Sequence, residues 1–177
     1  VDLYFDLAGL QLYSRKYKES IETFNLIEKQ LGITEEISIQ KEKIYIKLGD
    51  IDKAANEIQQ LINKYPNDLK YQGLLADLYL ANDLTEKAFN VYQEILNQDP
   101  KNPYANLALY DYYKVKGDDD KASKALKKAF SSKALDIDTK VKILLSYYSA
   151  TDSKLIKEAL ELNKILIRTH PKEAKAY

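Results

Sequence analysis

Cysteine is absent from this 177-residue chain, and glycine and proline are scarce, with five and four residues. Without cysteine the chain cannot form a disulfide, a thiolate metal site or a cysteine nucleophile. The few glycines and prolines lie between candidate helices, and no stretch has the composition of a disordered linker. No segment approaches the roughly 18 consecutive apolar residues that a membrane-spanning helix requires.

Neither sign of charge is in excess, because 27 acidic residues balance 27 basic ones. A protein that binds nucleic acid through its phosphates needs a clustered excess of cations. The chain is therefore not expected to bind nucleic acid.

The sequence does contain a period of 34 residues. Two prolines, four tyrosines and three alanines keep this step: Pro66 and Pro100; Tyr45, Tyr79, Tyr113 and Tyr147; Ala54, Ala88 and Ala122. A fixed period of this length is typical of arrays of helical hairpins, in which each hairpin packs on its neighbours. Such an array offers a long surface for binding rather than an enclosed catalytic pocket.

Capping residues mark the ends of the candidate helices. Thr34, Asp68 and Asn102 each precede a candidate helix and are residue types that cap helix N-termini. Gly49 and Gly117 occupy equivalent places between the two helices of their repeats, where glycine adopts a left-handed conformation at low cost. These signals predict two helices in each period.

The repeated residues resemble those of the tetratricopeptide repeat family. The third repeat carries the family pattern most clearly, with Leu75, Ala76, Tyr79, Ala88, Tyr92 and Pro100. The resemblance implies an all-α fold, a right-handed superhelical solenoid of antiparallel helix pairs. It predicts one array over residues 1–177, with these repeats: 1–34, 35–68, 69–102, 103–136 and 137–171, followed by 172–177 as the start of a sixth.

Three departures from the family pattern lead to specific expectations. Lys41 and Glu42 stand where leucine and a small residue are expected, which predicts a rotated or loosely packed first helix in the second repeat. An insertion around Asp152 lengthens the turn of the fifth repeat. Tyr177 falls early in the sixth repeat, so the parent protein is expected to continue beyond it.

No set of residues has the spacing of a catalytic site. His170, the one histidine, precedes Pro171 at a predicted helix end, and no serine or carboxylate is tied to it by spacing. The acidic run 118–120 lacks the alternating oxygens and glycine of a calcium loop, and is interpreted as a helix cap. The chain is therefore not expected to be an enzyme, and no cofactor, metal ion or small-molecule substrate is predicted.

The resemblance implies that the first helices of the repeats line an inner, concave groove where partners bind. The residues that correspond to Lys, Asn and Arg of a carboxylate clamp are apolar or glycine here, which argues against that kind of site. A contiguous apolar groove commonly marks an interaction surface. The candidate protein-binding residues are Phe5, Leu12, Tyr13, Asp77, Leu80, Tyr104, Leu107, Asp111, Lys114, Val141, Leu145 and Tyr148.

We therefore expect a non-catalytic scaffold that binds a protein or peptide segment in this groove. Two alternatives stay open: a structural element that self-associates, and a regulatory arm of a longer envelope protein or enzyme. The abundance of lysine, asparagine, isoleucine and tyrosine is typical of a bacterial protein from an AT-biased genome. Both the cytoplasm and the bacterial cell envelope are compatible with the sequence.

Overall fold

The structure is a computed structural model that describes residues 2–176. Within that range the chain is all-helical, as predicted, and contains no strand. The α-helices are α1 Asp2–Tyr13, α2 Tyr17–Leu31, α3 Glu35–Lys47, α4 Ile51–Lys64, α5 Leu69–Leu80, α6 Thr85–Gln98, α7 Pro103–Val115, α8 Asp119–Ser131, α9 Ile137–Leu145 and α10 Ser153–Thr169; a 3-10 turn, Ala174–Ala176, follows. None of the described helices is long and apolar enough to cross a membrane. The prediction for Tyr177 lies outside the described residues.

The helices begin and end at the residues that the capping signals predict. Thr34, Asp68 and Asn102 accept a backbone N–H from the first turn of α3, α5 and α7, at 3.3, 3.1 and 3.0 Å. Each bond satisfies a donor that the helix itself leaves unpaired. Gly49 and Gly117 have φ of 74° and 75°, a left-handed conformation that favours glycine. The two turns they occupy separate α3 from α4 and α7 from α8.

The chain divides into two compact units, one of residues 2–91 and one of residues 92–176, with the division inside α6. In unit 1, α1 packs on α2, α2 on α3, α3 on α4 and α4 on α5. Its core cluster is Ala8, Ile21, Phe24, Ile27, Ile37 and Ile44, all at least nine-tenths buried. Apolar residues of successive helices thus form one continuous interior within unit 1.

The first helix of the second repeat is neither rotated nor loosely packed, so that prediction was wrong. α3 is a regular helix, and the Lys41 side chain is only 4% exposed. Its ammonium Nζ lies 3.0 Å from Glu28 Oε2 on α2 and 2.9 Å from Glu57 Oε1 on α4. Opposite charges from both neighbouring helices make burial of this lysine possible. Glu42 is buried beside it, and burial raises the pKa of the Glu42 carboxyl.

In unit 2, α7 packs on α8, and α10 packs on both α8 and α9. Leu126 and Phe130 of α8 and Leu162 of α10 form its fully buried core. The lengthened turn of the fifth repeat ends at Asp152, whose carboxylate accepts the backbone N–H groups of Lys154 and Leu155 at 2.7 and 3.1 Å. This cap fixes the start of α10, the longest described helix of the unit.

A buried lysine connects α9 to the end of α10. Lys140 is fully buried, and its Nζ lies 2.8 Å from Ser132 O, 3.1 Å from Thr169 Oγ1 and 2.9 Å from His170 Nε2. An ammonium group can only donate, so His170 accepts at Nε2 and carries its proton on Nδ1. His170 is the C-terminal cap of α10, at a helix end as predicted, and serves this joint.

Candidate functional site

The candidate site with the most exposed apolar surface lies on the first helices of unit 2. Tyr104, Leu107 and Asp111 follow each other at spacings of three and four on α7, which places them on one helix face. Val141 and Leu145 are four apart on α9, and Tyr148 lies in the turn that follows. We call these six residues the first-helix face of unit 2: Tyr104, Leu107, Asp111, Val141, Leu145 and Tyr148.

Hydrogen bonds and a shared core hold α7 beside α9. Tyr147, at the end of α9, donates its hydroxyl to Glu158 Oε2 of α10 at 3.1 Å, and Tyr110 of α7 also hydrogen-bonds to Tyr147. Burial, together with the neighbouring Tyr110 and Glu158, raises the pKa of the Tyr147 hydroxyl, so it stays a donor. Leu107 packs against the same core cluster from α7. The two helices of the face are therefore supported by one interior.

Large apolar side chains on this face are exposed to solvent. Tyr104 is 63% exposed, Leu145 65% and Tyr148 91%, whereas Leu107 and Val141 are half-buried. Burying such groups is favourable at about 25 cal/mol per Å² of apolar surface. A face that combines exposed rings and a leucine with a packed base is suited to bind an apolar partner.

The two charged residues predicted for the site differ in their surroundings. Lys114 Nζ lies 2.8 Å from Asp119 Oδ1, and this hydrogen bond raises the pKa of Lys114. Its charge is thereby committed to the start of α8. Burial raises the pKa of Asp111, and no cation contributes to that shift. Asp111 is thus a carboxylate in a partly desolvated position without compensation from its surroundings.

The predicted residues of unit 1 form a less exposed surface. Phe5 and Leu12 are half-buried and pack on the unit 1 core, and the Phe5 ring meets Phe24 edge-on at 6.2 Å. Tyr13, Asp77 and Leu80 are exposed at or near the ends of α1 and α5. Participation of these five residues in binding stays a prediction.

A contact that the sequence reasoning missed recurs at the tyrosines of the period. The ammonium groups of Lys53, Lys87 and Lys121 lie 5.7, 5.4 and 5.4 Å from the ring centroids of Tyr45, Tyr79 and Tyr113. Each lysine follows its tyrosine by eight residues, so the spacing alone could have revealed the pairs. These cation–π contacts brace first and second helices against each other and leave the binding face untouched.

A separate cavity of about 260 Å³ lies among α7, α8 and α10. Its lining carries charges of both signs, and Lys114–Asp119 and Lys127–Glu161 pair across it. Opposite charges that already neutralise each other leave little driving force for a charged ligand. We therefore place the candidate site on the first-helix face of unit 2.

Comparisons with known proteins agree with this architecture. Residues 43–68 match the family model described as "Tetratricopeptide repeat". The chain is a tetratricopeptide repeat protein. A stretch of 100 residues is 31% identical to the TPR repeat-containing protein YpiA of Bacillus subtilis (strain 168), which covers 56% of this chain and 23% of that relative. The match thus spans about a quarter of the relative's length.

Two solved structures of tetratricopeptide repeat type share the fold. MamA from Desulfovibrio magneticus RS-1 superposes with a TM-score of 0.56 at 16% identity, over 98% of this chain and 97% of that one. YrrB, described as a TPR protein with an unusual peptide-binding site, superposes with a TM-score of 0.53 at 12% identity, over 98% and 88% of the two chains. At these identities the likeness confirms the predicted solenoid fold and carries no residue roles.

Proposed function

We propose that this chain is a non-catalytic scaffold that binds a segment of another protein along its first helices, the side that the family resemblance makes concave. The bound segment is an extended peptide or an amphipathic helix with apolar anchors. The observation that carries the proposal is the exposure of Tyr104, Leu145 and Tyr148 beside one another on a supported face. Aromatic side chains of this kind are enriched at protein–protein hot spots.

The nature of the face supports a peptide rather than a small molecule as the ligand. The exposed residues lie on two helices and in the turn after α9, which form an open surface without enclosing walls. Small molecules bind in concave pockets that bury most of their surface. The peptide-binding site reported for YrrB, which shares the fold, is consistent with this use of tetratricopeptide repeats.

The proposal is tested with peptides selected from a random display library against the whole chain. The variant Leu145→Asp/Tyr148→Asp places two charges on the face, and we expect it to weaken peptide binding at least tenfold. Because both side chains are largely exposed, the melting temperature of the variant should stay close to that of the parent. Fluorescence anisotropy and circular dichroism measure the two quantities.

The matched control is Leu160→Asp on α10. Leu160 is 58% exposed, similar to Leu145, but it belongs to the second helix of its repeat. The control should bind peptide like the parent chain. Equal binding by Leu145→Asp/Tyr148→Asp and the parent, with both folded, would show that the peptide binds elsewhere.

A further inference from the structure

We infer that the segment bound by the first-helix face carries a lysine or arginine, flanked by apolar residues, that pairs with the carboxylate of Asp111. This inference rests on the proposed function and names the chemistry of its partner. Three observations support it: the position of Asp111, the commitments of the cations near it in sequence, and the type of group that its surroundings favour.

The carboxylate lies within a row of apolar residues on α7. Leu107 is one turn before Asp111, and Val115 is one turn after it and 86% exposed. Tyr104 continues the row toward the start of the helix. A segment that covers this row with apolar side chains must also cover Asp111 and remove water from it.

The charged residues nearest to the face have partners of their own. Lys114 pairs with Asp119, and the Lys116 ammonium lies 5.4 Å from the centroid of the Tyr112 ring. Asp138, on α9, forms an ion pair with Lys175. Burial raises the pKa of Asp111 with no opposing contribution from a cation, in agreement with a carboxylate that lacks a counter-ion.

A cationic side chain is the group that best fits this position. An ammonium or guanidinium forms charge-assisted hydrogen bonds with a carboxylate, and such bonds are about twice as strong as neutral ones. An acidic residue or a phosphate would meet repulsion in a surface that also weakens its solvation. Asp77 occupies the same repeat position 34 residues earlier and is exposed on α5, so the acidic position recurs in unit 1.

The experiment uses the whole 177-residue chain and a display library of random 15-residue peptides. We expect the selected peptides to combine apolar residues with a lysine or arginine at a recurrent position. Dissociation constants are then measured for one selected peptide and for its variant with glutamine at the basic position. Each peptide is measured against the parent chain, Asp111→Asn, Leu145→Asp/Tyr148→Asp and the control Asp120→Asn, which alters an exposed carboxylate on α8.

We expect Asp111→Asn to weaken binding of the basic peptide about tenfold or more, as for loss of a charge-assisted hydrogen bond. The glutamine peptide should bind the parent and Asp111→Asn about equally, because the two changes remove the same contact. Asp120→Asn should bind like the parent. Melting curves for Asp111→Asn confirm that the variant is folded.

The outcomes separate this inference from the proposed function. If Leu145→Asp/Tyr148→Asp abolishes binding but Asp111→Asn leaves it unchanged, or if the effects of the two changes simply add, the pairing with Asp111 is wrong and the binding face stands. If the library yields no binder, or if the peptides bind Leu145→Asp/Tyr148→Asp as well as the parent, the proposed function fails and the inference fails with it.

Discussion

Units 1 and 2 each bury a lysine on a first helix, but the two ammonium groups meet different partners. In unit 1, Lys41 lies between two carboxylates, at 3.0 Å from Glu28 and 2.9 Å from Glu57. In unit 2, the partners of Lys140 are a backbone carbonyl, a hydroxyl and an imidazole nitrogen. Both ammonium groups therefore have hydrogen-bond acceptors, and only one has opposite charge in contact.

The two pKa values move in opposite directions as a result. Burial lowers the pKa of Lys41, but hydrogen bonds to Glu57 and Glu28 outweigh burial and raise it above its ordinary value. Burial lowers the pKa of Lys140 to about 8, with only Asp136 opposing. Hydrogen-bond acceptors alone do not compensate for taking a charge out of water.

This difference extends to the candidate binding surface. Unit 1 neutralises its buried lysine within its own core, so those charges serve the fold. Unit 2 holds a lysine that no carboxylate contacts, and on its surface the Asp111 carboxylate has no cation contributing to its pKa. The comparison teaches that the charge available to a partner lies in unit 2.

The largest expected effect comes from breaking the ion triad of unit 1. Lys41→Met leaves Glu28 and Glu57 facing each other without a cation, and we expect the free energy of unfolding to fall by about 3 to 5 kcal/mol. Urea denaturation followed by circular dichroism measures this loss. The double variant Lys41→Met/Glu57→Leu removes the more deeply buried carboxylate as well, and should recover most of the stability. A double variant as unstable as the single one would contradict the charge argument.

An intermediate effect is expected from pH at Lys140. Folded chains release the Lys140 proton near pH 8, whereas unfolded chains hold it until about pH 10.4. Between these values the unfolded state binds more protons, so stability rises with pH. From pH 7 to pH 10 the parent should gain about 2 to 3 kcal/mol relative to Lys140→Met.

Parallel denaturation of the parent and Lys140→Met at both pH values isolates this residue from other titrating groups. A difference that stays constant with pH would mean that Lys140 keeps an ordinary pKa in the folded state. Lys41 offers the internal comparison, because its pKa is raised and it holds its proton throughout this range.

The smallest effect is expected at an exposed lysine of unit 1. Lys87 pairs with Asp52 at 3.2 Å, and the two side chains are 51% and 88% exposed. Solvent screens such a pair, so Lys87→Ala should cost less than about 1 kcal/mol, including its contact with the Tyr79 ring. A loss as large as that of Lys41→Met would show that burial does not decide the strength of these lysine contacts.

Helix limits and caps were predictable because they depend on neighbours in sequence. The caps at Thr34, Asp68 and Asn102 and the turns at Gly49 and Gly117 all involve residues within four positions. The packing of α3 was mispredicted for the opposite reason. Lys41 is compensated by Glu28, 13 residues before it, and by Glu57, 16 residues after it, and these contacts exist only when three helices pack together.

The candidate site was predictable only as a set of helix positions. Helical spacing correctly places Tyr104, Leu107 and Asp111 on one face of α7. Spacing cannot tell that Leu107 packs against the core while Tyr148 is 91% exposed, because these properties depend on side chains of other helices. The lack of a cation beside Asp111 likewise follows from the Lys114–Asp119 pair.

Hydrogen exchange of the whole chain, with and without a selected peptide, tests most directly whether the first-helix face of unit 2 is the binding surface. We predict that the peptide slows amide exchange in α7 and α9, and that Leu145→Asp/Tyr148→Asp removes this protection. Protection confined to α8 and α10, with α7 and α9 unchanged, would contradict the account and place the partner on the second helices.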